Sequence, residues 1–526
     1  MVSTFMGLET ARRGMTAQQS ALYTLGHNIS NANTPGYTRQ RVNFTQTTSF
    51  PSVGMNAPQI PGQMGTGVQA GSVQRIRESF LDTQYRGESN KVGYYGMLSD
   101  SLSKMEGIMN EPSDSGLQST MEKFWNSLQT LSSNPENSGA RDVVAANGQM
   151  VADTINYYYN SLSSIQTDIG NQIDVKTSSV NSIIDNIDQL NHQIASVEPN
   201  GYLPNDLYDQ RDALVDQLSS MINIKVSSVK PVNYGNAKPI AEGLYNIELI
   251  NKEGKPYIPA ISLIPVDSTN GMQETNKLTV NYKNSDDPKG PVTGVQFGEA
   301  TVPDINFSGE LAGLIESYGY IDRDDEVKGN YPDILNQLNK MTEAFANEFN
   351  RIHREGYALN SETISNIDFF SDIDTENPAK TIKVSQDILN NPNLIAAGKD
   401  SGASGDNGNA QALADLKKVD FNEYQYYQNG SDSLPDGLTG SFDSFYAGLI
   451  GRLGVNSQSA QKNSSNSQIL ADSVEKNRQS VSSVSLDEEM TDMIKFQQAY
   501  NASARNITIV DEMLDKIING MGTGGR

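Results

Sequence analysis

LETARRGMTAQQSALYTLGHNIS (residues 8–30) and LDEEMTDMIKFQQAYNASARNITIVDEMLDKIINGM (residues 486–521) stand at opposite ends of the chain and carry the same repeat. In the first, Leu8, Ala11, Met15, Gln18, Leu22, Leu25 and Ile29 step by three and four. In the second, Leu486, Met490, Met493, Gln497, Tyr500, Ala504 and Ile507 do the same, and Leu514, Ile518 and Met521 resume the seam after Asp511. A seven-residue repeat puts one narrow apolar stripe on a helix, the stripe that coiled coils bury against a partner. Two such helices at the two ends predict termini that meet each other and other copies of the chain. The competing reading is two ordinary amphipathic helices on one globule.

Charge favours the pairing. Residues 1–44 hold Arg12, Arg13, Arg39 and Arg41 against Glu9, a net of +3. Residues 485–526 hold Lys495, Arg505, Lys516 and Arg526 against seven acids, a net of −3. Opposite charge on two heptad helices fits pairing at the flanking positions. Each exposed ion pair contributes little, so charge selects the partner more than it holds it. A lone helix pair gains about 1–2 kcal/mol per large buried side chain, close to what backbone ordering costs, so copies packed side by side are expected to tip the balance.

At 526 residues the chain exceeds a single core and predicts about three or four domains. Its net charge of −24, with no dense Lys/Arg cluster, argues against a nucleic-acid or anionic-membrane surface. With no cysteine, a disulfide framework, a zinc–thiolate site and a cysteine nucleophile are all excluded. No run of about eighteen apolar residues occurs, so no membrane span is expected. MVSTFMGLETARRG lacks a continuous apolar core and a small-residue cleavage site, so no cleavable signal peptide is expected.

The predicted fold class is α+β, predominantly α, with terminal coiled-coil helices, a long helical bundle and β-rich inserted outer domains. Residues 1–44 with 485–526 read as a terminal coiled-coil axial core, and 45–72 as an extended connector through Pro51, Pro58, Pro61 and several glycines. Residues 73–223, 309–355 and 441–484 carry helical periods and read as a bundle. Its longest helix is expected from Ala140 to Val197, roughly 85 Å at 1.5 Å per residue. Pro199 and Gly201 end it, and Asn205 or Asp206 is expected to cap the next helix. Residues 224–308 hold eight of the twenty prolines and the stretches YNIELI, AISLIPV and KLTVNY, a β-rich insertion. Residues 356–440 read as a mixed outer insertion. The order is nested, with the termini innermost, and implies a rod-shaped subunit.

Little chemistry emerges. His27, His192 and His353 are the only histidines, and none has a ligand at His-Glu-x-x-His spacing. Gly65-Thr-Gly67-Val-Gln-Ala-Gly71 has the wrong spacing for a phosphate cradle and no preceding strand. Asp372, Asp374 and Glu376 lack the glycine and terminal glutamate of a calcium loop. Tyr157, Tyr158, Tyr159, Tyr426 and Tyr427 fit packing between helices better than a saccharide groove. No cofactor, metal or catalytic residue is predicted, and the chain does not read as an enzyme.

The stretch Asn28-Ile-Ser-Asn-Ala-Asn-Thr-Pro-Gly-Tyr-Thr-Arg39 is intelligible on its own terms. Asn28, Asn31 and Asn33 can bond backbone groups as the helix ends, and Pro35-Gly36 followed by Tyr37 turns the chain outward. It resembles the signature of bacterial flagellar rod, hook and hook-associated proteins, with His27 where that pattern usually has Asn. Three further matches point to the hook-associated protein 1 family within that group. They are Ser485-Leu-Asp-Glu-Glu-Met onward to Arg505 with Asp511-Glu-Met-Leu514, then Leu207-Tyr-Asp-Gln-Arg-Asp-Ala-Leu214, then Gly405-Asp-Asn-Gly-Asn-Ala-Gln-Ala-Leu-Ala-Asp-Leu416.

The resemblance implies an extracellular structural subunit of the flagellum at the junction of hook and filament, exported by the flagellar type III apparatus. It implies as partners a homo-oligomeric ring, the hook protein, other hook-associated proteins on the filament side and an export chaperone at the C-terminal region. Carried over by residue, the assembly seam is Leu8, Met15, Leu22, Leu25 and Ile29 with Leu486, Met490, Met493, Tyr500, Ala504, Ile507 and Leu514. The alternatives are a hook or rod subunit, or a surface adhesin or saccharide-binding module acting through residues 224–430.

Overall fold

The structure, a computed structural model, describes residues 4–52, 54–55, 62–269, 271–284, 289–429 and 433–520; Pro58, Pro61, Met521 and Arg526 lie outside the described residues. It is an α+β fold that is 60% helix and 13% strand. Helix α1 (Thr4–Ser30) leads through a turn into the two-stranded ribbon β1 (Gln40–Gln46) and β2 (Val68–Arg75). Then come α2 (Ser79–Met109), α3 (Leu117–Ser133), the 60-residue α4 (Ser138–Val197) and α5 (Asn205–Met221). The strands β3 (Ile224–Val229), β4 (Leu244–Leu249), β5 (Ser262–Ile264), β6 (Val266–Asp267), β7 (Gly271–Met272), β8 (Leu278–Tyr282), β9 (Val292–Phe297) and β10 (Ala300–Val302) follow. Next are α6 (Glu310–Tyr318), β11 (Tyr320–Ile321), β12 (Val327–Lys328) and α7 (Asn330–Glu355). Short elements lead on to α8 (Gly408–Asp415), and α9 (Phe442–Ser482) and α10 (Leu486–Asp515) close the chain.

The chain divides into two compact units, Met1–Asn90 with Val180–Lys277 and Gln468–Arg526, and Lys91–Ser179 with Leu278–Ser467. The stretch read as one β-rich insertion is thus shared out, with β3 to β7 in the first unit and β8 to β10 in the second.

In the first unit β3, β4 and β5 form an antiparallel sheet whose alternating apolar residues face inward. Leu244 and Val266 pack there with Ile194 of α4 and Tyr208 of α5. α5 starts where the sequence places it, but neither Asn205 nor Asp206 caps it. Asn205 instead donates to Gln40 Oε1 and to the Val73 carbonyl, both at 3.1 Å. A tertiary partner has outbid the local one, because these donors are buried and must be satisfied.

The second unit is built on aromatic packing. Phe124, Trp125, Phe345, Phe349, Phe369 and Phe370 meet edge to face or tilted at centroid distances of 4.9–6.2 Å. Its sheet centres on β9, which pairs antiparallel with β8 and β10 and parallel with β11. Fully buried His353 accepts at Nε2 from the Ala396 N–H (3.0 Å) and faces the Ile367 carbonyl through Nδ1 at 2.7 Å. Burial pushes its pKa down to about 4, so it is a neutral core residue.

Candidate assembly surface and its joint

α1 and α10 pack against each other along a stripe of small residues. On α1 the buried side chains are Ala11, Ala17, Ala21 and Leu25, ending at Asn28. A Cβ placed at Gly14 would lie 3.2 Å from Ser503 Oγ, and one at Gly7 would lie 3.6 Å from Val510. Small residues at a contact let two helices approach more closely than leucine or methionine does. The pair therefore rolls onto its alanine and glycine stripe, and the large apolar residues of the heptads turn sideways. Leu25 lies inside the pair. Leu8, Met15, Leu22, Ile29, Met493, Tyr500, Ala504, Ile507 and Leu514 are half-buried.

Leu486 and Met490 remain on the surface, 49% and 59% exposed. The four-residue step continues to Ile494, and a second exposed ridge runs through Ile509, Met513 and Ile517. These four residues were missed because a heptad template selects alternating steps of three and four, whereas a ridge of side chains follows every fourth residue.

The Asn-rich turn is a joint that locks three elements. Asn28 is fully buried and uses its whole amide. Its Nδ2 donates to the Gln40 carbonyl (2.8 Å) and to Glu489 Oε2 (2.9 Å), while Oδ1 accepts from the Gln40 N–H (3.0 Å) and the Tyr37 hydroxyl (2.8 Å). One side chain thus ties the end of α1 to the start of β1 and the first turn of α10. Asn31 turns back to donate to the His27 carbonyl at 3.0 Å. Asn33 and Pro35 are exposed at the tip. Gly36 has φ +80°, a left-handed conformation that favours glycine. Tyr37 is half-buried, and desolvation together with the carboxylates of Asp209, Asp206 and Glu489 raises its phenol pKa. Arg39 then closes the joint on Glu489 (2.6 Å) and Glu488, and its N–H donates to the Ser482 carbonyl at 2.8 Å.

Behind the joint lies a buried ionic network organised by Tyr208-Asp-Gln-Arg-Asp212 of α5. Asp209 accepts from the Thr38 N–H at 3.1 Å and from Arg75 at 2.6 Å, linking α5 to the turn and the ribbon. Asp212 receives Arg75 (2.9 Å), Arg77 (2.7 Å), Arg86 (3.3 Å) and the Tyr245 hydroxyl (2.9 Å). Burial alone would raise the Asp212 pKa, but the guanidiniums of Arg77, Arg75 and Arg86 outweigh it and hold the carboxyl well below the usual range. Arg211 stacks over Tyr245 at 3.4 Å and donates to the Gly243 carbonyl at 2.8 Å. About one turn of α5, from Asp209 to Asp212, thereby fixes the ribbon, the start of α2 and β4 to one another.

The other residues singled out by the sequence stand apart. Gly67, at φ +114°, lets the ribbon loop lie against Thr10 of α1, a packing role. Tyr158 donates to the Met109 carbonyl and Tyr159 to Asn377, while Tyr426 and Tyr427 meet edge to face. Among the described residues no group of three His, Asp or Glu side chains is placed to hold a metal ion, and no helix is long and apolar enough to cross a membrane.

Comparison with known proteins reads the two ends and the middle separately. Residues 8–38 match the model for flagella basal body rod protein, and 476–520 match that for flagellar basal body rod FlgEFG protein C-terminal. The terminal helices and their joint thus carry a likeness to the structural proteins of the flagellar rod. Residues 102–370 match the model for the flagellar hook-associated protein FlgK helical domain. Flagellar hook-associated protein 1 of Bacillus subtilis is 46% identical over the full length of both chains. That of Salmonella typhimurium is 25% identical over 97% of this chain and 98% of its own. The flagellar hook junction protein FlgK from Burkholderia pseudomallei shares the fold, with a TM-score of 0.53 at 14% identity, covering 77% of this chain and all of that one. The chain belongs to the flagellar hook-associated protein 1 (FlgK) family. It is a structural component of the bacterial flagellum, hook-associated and not an enzyme.

Proposed function

We propose that this protein is the subunit that joins hook to filament, assembling outside the cell as a homo-oligomeric ring through its terminal helices. The observation that carries this reading is the pair of apolar ridges on α10, Leu486-Met490-Ile494 and Ile509-Met513-Ile517, left exposed by a helix pair that buries its small residues. Contiguous exposed apolar surface at helical spacing marks an interaction site. Neighbouring copies would cover these ridges, with the hook protein on one side of the ring and other hook-associated proteins on the other. The same ridges need a cover before assembly, which supports an export chaperone at the C-terminal region. Passage through the flagellar type III apparatus fits a chain that has no cysteine to cross-link on the way.

The test is a deletion strain complemented with Met490→Asp or Ile507→Asp. The deletion is expected to leave intact hooks, no filament, and flagellin lost to the medium. Either aspartate variant should reproduce that phenotype while its far-UV circular dichroism stays that of the parent. Normal filaments on cells carrying Met490→Asp would refute assembly through this surface.

A further inference from the structure

Each apolar ridge of α10 has a methionine at its centre. Met490 stands four residues from both Leu486 and Ile494, and Met513 four residues from both Ile509 and Ile517. Both sulfurs belong to side chains open to solvent, 59% and 54% exposed, whereas Met105, Met109, Met121 and Met341 are buried. With no cysteine in the chain and Trp125 buried, methionine sulfur is the most readily oxidised group that this protein offers to solvent. Among the described residues five methionines are exposed, and the ridges hold two of them; the others are Met55, Met64 and Met150.

Met490 and Met513 are 23 positions apart on one helix. They therefore point about 140° apart around α10 and lie about 35 Å apart along it. The two serve different faces, so a change at either spoils a separate contact. A thioether is apolar and pliable, and fills irregular gaps against aliphatic neighbours. Its sulfoxide is polar and chiral, and disrupts such contacts. Covered by the apolar side chains of a neighbour, the sulfoxide oxygen would be a buried acceptor without a donor, which weakens a contact by about tenfold or more.

We propose that Met490 and Met513 are modification sites that control assembly: hydrogen peroxide reaching either sulfur in the free chain prevents that copy from seating, and seated copies shield both. The sulfur lone pair attacks one peroxide oxygen and an S–O bond forms as the O–O bond breaks. The proton on the transferred oxygen passes to the departing one, and water leaves. The thioether is oxidised by two electrons and the peroxide reduced by two. This rests on the proposal that the ridges form the assembly surface, and adds how that surface is switched off.

The experiment is modification interference on the full-length chain. Free subunits are treated with hydrogen peroxide until each methionine is partly oxidised, then offered to purified hooks, and sulfoxide is mapped by peptide mass spectrometry in the bound and unbound fractions. Sulfoxide at Met490 and at Met513 should be at least about tenfold depleted from the bound fraction. Equal sulfoxide at both positions in the two fractions overturns the inference. The unbound fraction, treated with the two stereospecific methionine sulfoxide reductases and a dithiol as reductant, should regain attachment; failure to regain it after the sulfoxides are gone also overturns the inference. If Met490→Asp blocks attachment while sulfoxide at both positions is tolerated, the oxidation switch falls and the assembly reading stands. If Met490→Asp itself assembles normally, the underlying reading falls.

Discussion

Replacing Asp212 by asparagine removes one charge from the centre of the α5 network and almost no volume. The carboxylate is fully buried and shares its two oxygens among three guanidiniums and a phenol. The amide keeps one acceptor oxygen and presents an NH2 donor to arginine donors, so at least one of the Arg75 and Arg77 contacts on Oδ2 is lost. Breaking a buried ion pair from one side costs about 3–5 kcal/mol. Here the arginines retain other carboxylates: Asp209 and Glu242 for Arg75, Asp82 for Arg77, Asp216 for Arg86. That brings the expected loss to about 2–4 kcal/mol, a fall of about 1 M in urea midpoint at an m-value near 2–3 kcal/mol/M. Far-UV circular dichroism follows this transition, while Trp125, the single tryptophan, reports the aromatic core of the second unit through its fluorescence. The parent should also lose stability relative to the variant as pH falls through the carboxylate range. The Asp212 pKa is lowered on folding, so its contribution is present above the unfolded value and lost below it. A urea midpoint within about 0.3 M of the parent at pH 7 would show that the network does not hold this unit together.

Two further outcomes test the fold. His353 is neutral in the core with a pKa of about 4, whereas the unfolded chain takes up that proton near pH 6.5, so stability is full above 6.5 and falls with pH. The urea transition read by Trp125 should lose about 2 kcal/mol between pH 7 and pH 5, and a pH-independent midpoint there would refute the assignment. Asn28→Ala leaves the Glu489 carboxylate short of a donor and the Gln40 N–H short of its acceptor, both buried, at a cost of about 2–3 kcal/mol. Amide exchange should accelerate in the first turns of α10 and at the start of β1 but not in α4; unchanged protection in α10 would show that the joint does not hold that helix.

The long helices and the strands were legible because their signals are local. The apolar period of Val180, Ile183, Ile187, Leu190 and Ile194 marks α4, and YNIELI becomes β4. The turn was legible as well, since the φ of +80° at Gly36 favours glycine. Less legible was which stripe the terminal helices bury. The heptads name large residues, yet the intrachain pair closes on Ala11, Gly14, Ala17 and Ala21, because backbone approach depends on the absence of side chains, which a search for apolar residues passes over.

By itself, then, the sequence determined which segments are helix, where the first helix turns out, and that apolar stripes lie at both ends, because periodicity and backbone preference act over a few residues. Only the tertiary structure decided that Asn28 binds Glu489 across 461 positions, that Asp212 gathers three arginines, and that Leu486 and Met490 face outward. Those outcomes depend on which buried donors and acceptors meet once the chain has closed. That is a question of distance in space, and spacing along the chain does not contain it.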